Sequence, residues 1–220
     1  MNPPNDKIHI VLLGDSIFDN ATYVPDGTPV IEHVRRQLPK GWQTTLLAID
    51  GAVAADVETQ VAGVPTTATH LIVSVGGNDA LQSIGLLGTQ VKSVGEALFI
   101  LSEECVNFQQ RYHRMLEHIR HLNLPVAACS IYNAIPSLGA TEKTALALFN
   151  ETILSEVFRA GLPLIDLRHV CNEPDDYSPL SDIEPSHQGG EKIARAILTL
   201  LKIHNFSQRH STVISGTSLE

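Results

Sequence analysis

Five short apolar runs recur along the chain, and each is followed by polar or glycine-containing sequence. Their apolar residues are continuous rather than alternating, which is typical of strands covered on both faces in a parallel sheet. Stretches with helical periodicity separate the runs, and strands that alternate with helices form right-handed crossovers. The pattern predicts an α/β fold, a three-layer α/β/α sandwich around a mostly parallel five-stranded sheet. The runs are residues 8–15, 44–51, 69–79, 125–133 and 162–168.

The organisation of the chain favours one domain. A first helix is predicted from Pro29 to the neighbourhood of Pro39, and no linker, internal repeat or low-complexity tract follows it. We therefore expect one domain over residues 1–204. Residues 205–220 are polar and without periodicity, which predicts a loosely ordered tail. The later helices are predicted at 94–122, 142–160 and 190–203.

Charge and cysteine content narrow the classes of partner and cofactor. The formal net charge is −9 and Lys and Arg do not cluster, which argues against nucleic acid or an anionic membrane surface as a partner. Cys105, Cys129 and Cys171 are widely spaced and form no CxxC pair, so neither a disulfide framework nor a thiolate zinc site is indicated. Neither a P-loop nor a G-x-G-x-x-G pattern is present, so the sequence gives no indication of a nucleotide or flavin site. We expect no metal or organic cofactor.

The sequence also bears on localisation. Its N-terminus lacks the basic start and long apolar stretch of a signal peptide, and no segment approaches the length of a membrane span. We expect a cytoplasmic protein without integral membrane association. The oligomeric state is left open.

Polar side chains collect where three of the predicted strands end. Asp15 and Ser16 follow the first run, Asp50 and Gly51 the second, and residues 76–79 the third. In doubly wound α/β folds, ligands bind beyond the carboxyl ends of the strands. Ser16 thus offers a hydroxyl nucleophile at the expected edge, although the G-x-S-x-G elbow of the common α/β-hydrolases is absent.

A serine nucleophile needs a base, and His187 is the candidate among ten histidines. It stands on the loop that enters the last helix, with Glu184 three residues before it and Asp182 five residues before it. In a tight turn, residues i and i+3 lie on the same side, which would place the Glu184 carboxylate against the imidazole.

These residues resemble the sequence blocks of the SGNH hydrolases, also called the GDSL esterase/lipase superfamily. The family's G-D-S block is matched by residues 14–16, and its G-x-N-D block by residues 76–79. Its D-x-x-H block, shortly before the last helix, is matched by residues 184–187 with Glu184 in the place of Asp. The three blocks occur in the family's order. The resemblance implies a flavodoxin-like sandwich.

The resemblance also implies roles for individual residues. Ser16 would be the nucleophile, His187 the base, and Asn78 an oxyanion donor through its side-chain amide, beside the backbone N–H of Ser16. Glu184 would orient His187, with Asp182 as the alternative acid. A Ser-His dyad without an essential acid stays open as well.

The family's second block is matched less well. It usually carries an oxyanion glycine five residues after an Asn; counting from Asp50 reaches Ala55, whereas the glycine here is Gly51. Both remain candidate donors through their backbone N–H groups.

The resemblance implies a serine esterase that hydrolyses small or medium acyl esters of small molecules through an acyl-enzyme. The alternative is a catalytically inactive binding module with the same fold, since fold does not fix function. Residues 80–95 could line the site through several apolar side chains, although a packing helix is the preferred interpretation. These side chains are Leu81, Ile84, Leu86 and Leu87.

Overall fold

The computed structural model describes residues 7–216, and a parallel sheet of six strands forms its centre. The strand order is β2-β1-β3-β4-β5-β8, and all five pairings are parallel. The first five strands follow the flavodoxin-like order 2-1-3-4-5. The strands are β1 (His9–Gly14), β2 (Gln43–Leu46), β3 (His70–Ser74), β4 (Val126–Cys129), β5 (Leu164–Ile165) and β8 (Val213–Ile214), while β6 (Tyr177–Ser178) and β7 (Ser181–Pro185) form a separate antiparallel pair.

Two hydrophobic cores cover the two faces of this sheet. Ile10 and Leu12 of β1 point into one core, and Val11 and Leu13 point into the other, because successive side chains of a strand alternate between faces. Helices α1 and α7 pack on the first face, and α2, α4 and α5 on the second. The predicted three-layer sandwich is confirmed. The helices are α1 (Val30–Gln37), α2 (Val57–Val61), α3 (Gly77–Gln82), α4 (Val94–Arg120), α5 (Ala140–Arg159), α6 (Leu167–Val170) and α7 (His187–Ile203).

The start of α7 differs from the prediction in a way that affects the site. The helix was expected from residue 190, but it begins at His187. Ser186 is its N-cap in an extended conformation, and the Ser186 hydroxyl oxygen accepts a hydrogen bond from the backbone N–H of Gly189. His187 therefore belongs to the first turn of a helix rather than to a loop.

The predicted loose tail at 205–220 contains the sixth strand. Val213 and Ile214 pair in parallel with Leu164 and Ile165 of β5, and Ile214 is buried. The expectations of a loose tail and of five strands are both corrected here. A strand of two residues carries no periodicity, so only its pairing partner reveals it. Residues 217–220 lie outside the described part of the chain.

Within residues 7–216, no helix combines the length and apolar composition that crossing a membrane requires.

Candidate active site

Gly14 fixes the backbone that carries Ser16 out of β1. Its φ is +121°, and a Cβ atom at this position would lie 1.7 Å from the backbone oxygen of Ser74. Gln60 holds both peptide groups of Gly14, since its amide oxygen accepts from Gly14 N–H and its amide nitrogen donates to Gly14 C=O. Only glycine fits here, and the chain leaves the sheet in one defined direction.

Ser16 is buried and makes a direct hydrogen bond to Glu184. Its Oγ donates to Oε1 of the glutamate at 2.9 Å. Glu184 lies near the end of β7, one residue before Pro185. Its other carboxyl oxygen, Oε2, is buried and has no hydrogen-bond partner within residues 7–216.

The surroundings of Glu184 raise the pKa of its carboxyl. Burial raises the pKa of its carboxyl from 4.5 to about 7; the hydrogen bond from Ser16 opposes this shift and the charge of Asp50 adds to it. A carboxyl with a pKa near neutrality can both accept and return a proton under physiological conditions.

Asp15 is a second buried carboxyl, next to Ser16. Burial raises its pKa to about 8, with a further rise from the nearby Glu184 and Asp79 carboxylates and a lowering from the N–H of Ile17. Its Oδ1 accepts a hydrogen bond from that N–H at 3.1 Å. Asp15 therefore braces the turn and carries its proton through most of the neutral range.

His187 does not meet Ser16 or Glu184. Its ring is exposed, Nδ1 accepts a hydrogen bond from the backbone N–H of Thr28 at 3.1 Å, and the ring centre lies 4.6 Å from that of His33. The predicted pairing of Glu184 with His187 is corrected by this geometry. Between the two residues the chain stays extended and then enters a helix, so positions i and i+3 do not share one side as they would in a tight turn.

Asp182, the alternative acid, is also separate from His187. Its Oδ2 accepts a hydrogen bond from the backbone N–H of Ser137 at 3.0 Å. It is not among the described residues that line the pocket around Ser16. The carboxylate instead ties β7 to the loop after β4.

Asn78 reaches the pocket of Ser16 from the first turn of α3. Its Nδ2 donates a hydrogen bond to the carbonyl oxygen of Ala52 at 3.0 Å. A side-chain amide carries two N–H groups, so one remains available for a substrate oxygen.

Gly51 and Ala55 do not join this group. Both are exposed, and neither is among the described residues that line the pocket of Ser16. The loop after β2 instead positions two residues that follow β3. Its Ala52 carbonyl accepts a hydrogen bond from Asn78, and its Ala54 N–H donates one to Asp79. The expectation that one of the two contributes an oxyanion donor finds no support in this geometry.

A mostly apolar pocket adjoins Ser16. The space between its lining residues, with open solvent counted in, is about 1020 Å³. Leu81, Ile84, Leu86 and Leu87 all line it, so the segment after Asn78 forms a wall of the site in addition to any packing role. Residues of α4 and α5 also line the pocket. The sequence did not single them out, because their apolar stripes look like ordinary core. These residues include Leu101, Leu146, Leu148 and Phe149.

Residues 7–216 contain no group of three or more His, Cys, Asp or Glu side chains placed to hold a metal ion. Cys105, Cys129 and Cys171 are free thiols, and the last two are buried.

Comparison with known proteins decides the family. Residues 12–192 match the model of the GDSL-like lipase/acylhydrolase family. The chain belongs to this family. The match spans all three blocks on which the resemblance was recognised, and it confirms that resemblance. A search of the curated proteins found no match.

Solved structures of esterases and lipases share the fold of this GDSL-like chain. The lipase Lip_vut3 from a goat rumen metagenome has a TM-score of 0.67 at 19% identity, with 88% of this chain and 97% of that chain covered. The acetyl xylan esterase AlAXEase has a TM-score of 0.66 at 16% identity, with coverages of 88% and 100%. The psychrotrophic esterase EstA from Pseudoalteromonas sp. has a TM-score of 0.61 at 14% identity, with coverages of 88% and 96%.

Family membership gives the geometry at Ser16 its significance. The family's pattern assigns the contact with the serine of the G-D-S block to the histidine of the D-x-x-H block. In this chain Glu184 makes that contact, and His187 lies three residues further on, at the start of α7. Membership and fold support a hydrolase, and the residue that contacts Ser16 departs from the family's pattern.

Proposed function

We propose that this protein is a serine acylhydrolase in which Ser16 is the nucleophile and Glu184 takes the place of the histidine base. The observation that carries the proposal is the 2.9 Å hydrogen bond from Ser16 Oγ to Glu184 Oε1, inside a pocket that Asn78 also lines. Nucleophile, proton acceptor and amide donor thus border one space large enough for an ester.

The proton path follows from this contact. Ser16 Oγ attacks the ester carbonyl carbon as its proton moves to Glu184, and the carbonyl oxygen becomes an oxyanion. Protonated Glu184 then gives the proton to the leaving alcohol oxygen, and the acyl group stays on Ser16. In the second half, Glu184 takes a proton from water as the water oxygen attacks the acyl carbon. The bond between the acyl carbon and Ser16 Oγ then breaks, the carboxylic acid leaves, and Glu184 returns the proton to Oγ.

The oxyanion would be stabilised by amide donors. Asn78 has one N–H group beyond its bond to Ala52, and the backbone N–H of Ser16 is the second donor. Donors fixed before the reaction are worth more than mobile ones because they need no reorganisation as charge develops. The Ala52 carbonyl supplies this fixation for Asn78.

A catalytically inactive binding module is the second candidate. The observation in its favour is that His187 is exposed and bonded to Thr28, while the described residues around Ser16 include no histidine. Under this alternative the pocket binds a ligand without turning it over.

One assay separates the two functions. We expect purified protein to hydrolyse p-nitrophenyl butyrate, and Ser16→Ala to lower kcat/KM at least 100-fold. The matched control is Ser207→Ala, an exposed serine outside the pocket lining, which should retain the wild-type rate. Equal rates for wild type and Ser16→Ala would contradict the serine mechanism.

A further inference from the structure

Arg111 of α4 binds two carboxylates close to the active site. Its Nε donates a hydrogen bond to Asp79 Oδ1 at 3.3 Å, and a terminal nitrogen donates one to Glu104 Oε1 at 2.9 Å. Its guanidinium carbon also lies 5.9 Å from the centre of the Phe108 ring, within the range of a cation–π contact. Arg111 is not among the described residues that line the pocket of Ser16. Three partners therefore fix a cation outside the pocket lining.

Asp79 connects this cation to the loop after β2. The Asp79 side chain is 2% exposed, and its Oδ2 accepts a hydrogen bond from the backbone N–H of Ala54 at 2.9 Å. Asn78, the preceding residue, bonds to the same loop through its Nδ2 and the carbonyl oxygen of Ala52. Two consecutive residues of α3 thus hold two positions of one loop. Asp79 and Asn78 are therefore coupled through this loop as well as through their shared backbone.

The charge on Arg111 favours the form of Asp79 that can accept both bonds. Burial raises the pKa of the Asp79 carboxyl, while the Ala54 N–H and the Arg111 cation lower it. A proton on either carboxyl oxygen would compete with the hydrogen that Ala54 or Arg111 donates there. Within residues 7–216, Arg111 is the one cationic side chain paired with Asp79. Without it, the cost of a buried charge would favour protonated Asp79.

From these contacts we infer that Arg111 is a positioning residue for Asn78, acting through Asp79 and the loop after β2. The Arg111 cation keeps the Asp79 carboxylate bonded to the Ala54 N–H. The loop then presents the Ala52 carbonyl that orients the amide of Asn78. The inference rests on the proposed function for the role of Asn78 as an oxyanion donor, and it adds a residue outside the pocket that sets the orientation of that donor.

Arg111→Met is the variant that tests this role. Methionine retains a long unbranched apolar chain against Phe108 and removes the charge and the donors. Arg114→Met is the matched control, because Arg114 is exposed on the same helix and its Nε donates to the backbone oxygen of Gln110. Arg111→Gln removes the same charge and serves if Arg111→Met does not fold.

The first measurement separates turnover from substrate binding. We expect Arg111→Met to lower kcat for p-nitrophenyl butyrate about tenfold, less than the loss of an entire oxyanion donor would, because the amide is displaced rather than removed. KM should stay within about twofold of wild type, since the oxyanion forms only after the substrate binds. Arg114→Met should retain both wild-type values. An unchanged kcat in Arg111→Met, or a rise in KM that accounts for the whole loss of kcat/KM, would overturn the inference.

A double-mutant cycle identifies the route from Arg111 to catalysis. In the Asn78→Ala background, Arg111→Met should change kcat by less than about twofold, because the donor that Arg111 positions is already absent. If Arg111 acted only on general stability, its removal would lower kcat equally in wild type and in this background. Equal losses would therefore overturn the inference.

The third measurement needs no turnover and follows the two hydrogen bonds of the loop by NMR. The side-chain amide signals of Asn78, identified by their loss in Asn78→Ala, should move in Arg111→Met. Exchange of the Ala54 N–H with solvent should become roughly tenfold faster because its acceptor is weakened, whereas Leu12 in β1 should keep its exchange rate. Arg114→Met should leave all of these unchanged. Unmoved Asn78 signals in Arg111→Met, or equally faster exchange at Leu12, would overturn the inference.

The measurements keep the inference and the proposed function apart. If wild type hydrolyses no ester but Arg111→Met moves the Asn78 signals and speeds exchange at Ala54, the positioning role stands and the serine mechanism fails. If Ser16→Ala abolishes hydrolysis but Arg111→Met keeps the wild-type kcat, the mechanism stands and the positioning role fails.

Discussion

The hydroxyl of Ser16 donates a hydrogen bond to Glu184 Oε1 over 2.9 Å, and both side chains are buried. This pair occupies the place where the GDSL-like pattern leads one to expect serine and histidine. A carboxyl group whose pKa burial raises therefore contacts Ser16, where the family's pattern predicts an imidazole. Each group can exchange a proton near neutral pH, which is why the replacement is compatible with the family's chemistry.

Removal of the Glu184 carboxyl is the most direct test of its role. We expect Glu184→Gln to lower kcat/KM roughly 100-fold or more, since general acid–base groups contribute at least this much. His187→Ala should stay within about threefold of wild type, because its ring binds Thr28 and His33 instead of Ser16. Steady-state kinetics on p-nitrophenyl butyrate would show which of the two variants loses more kcat/KM. A larger loss in His187→Ala would mean that His187 is the base.

Asp182→Asn is the matched carboxyl control. Its Oδ2 accepts from the Ser137 N–H outside the pocket, so the exchange should change kcat/KM less than about threefold. A loss equal to that of Glu184→Gln would give Asp182 a part in proton transfer.

The dependence of activity on pH should follow the raised pKa of Glu184. Below about pH 7 its carboxyl is protonated and cannot accept the proton of Ser16, so log kcat/KM should fall toward a slope of one as the pH decreases. Above this value the rate should reach a plateau. His187→Ala should keep the same profile; a profile that vanishes with that substitution would assign the titration to the imidazole.

Asn78→Ala should affect the chemical step. Loss of one oxyanion donor typically lowers kcat by about 10² to 10³. The variant also loses the bond to the Ala52 carbonyl, so its melting temperature should be measured beside its rate. Asn205→Ala, at an exposed site, is the control; a kcat unchanged in Asn78→Ala would exclude the amide from the oxyanion hole.

Asp15 should make stability depend on pH. Its folded-state pKa is raised from 3.8 to about 8, so the folded protein holds this proton more tightly than the unfolded chain. The resulting stability is fully present below pH 4 and is lost as the pH rises through 8, with an upper limit of about 6 kcal/mol at 1.36 kcal/mol per pKa unit. Urea unfolding from pH 5 to 9 should show that the free energy of unfolding declines less in Asp15→Asn than in wild type. Parallel declines in the two proteins would contradict this role of Asp15.

The sixth strand can be tested through its buried residue. Ile214→Ala should lower the free energy of unfolding by about 2 to 5 kcal/mol, because it leaves a cavity against β5. Val213→Ala, half-exposed in the same strand, should cost less than about 1 kcal/mol. Similar small losses for both variants would mean that β8 does not hold the sheet edge in solution.

The sequence by itself determined five of the six strands of the sheet, the layers that cover it, and the edge at which Ser16 and Asn78 lie. Continuous apolar runs such as 8–15 predict doubly covered strands, and the polar residues after them predict a site at their carboxyl ends, because both signals are local. Ser16 and Asn78 line one pocket as that placement implies.

Only the tertiary structure decided which residue faces Ser16. Whether Glu184 or His187 does so depends on where β7 ends and α7 begins, and a shift of a few residues turns a side chain to another side of the chain. The oxyanion candidates Gly51 and Ala55 were misplaced for a similar reason, since block spacing does not fix loop geometry. Strand β8 and the pocket walls on α4 and α5 arise from pairing and packing between distant segments, which no local pattern encodes.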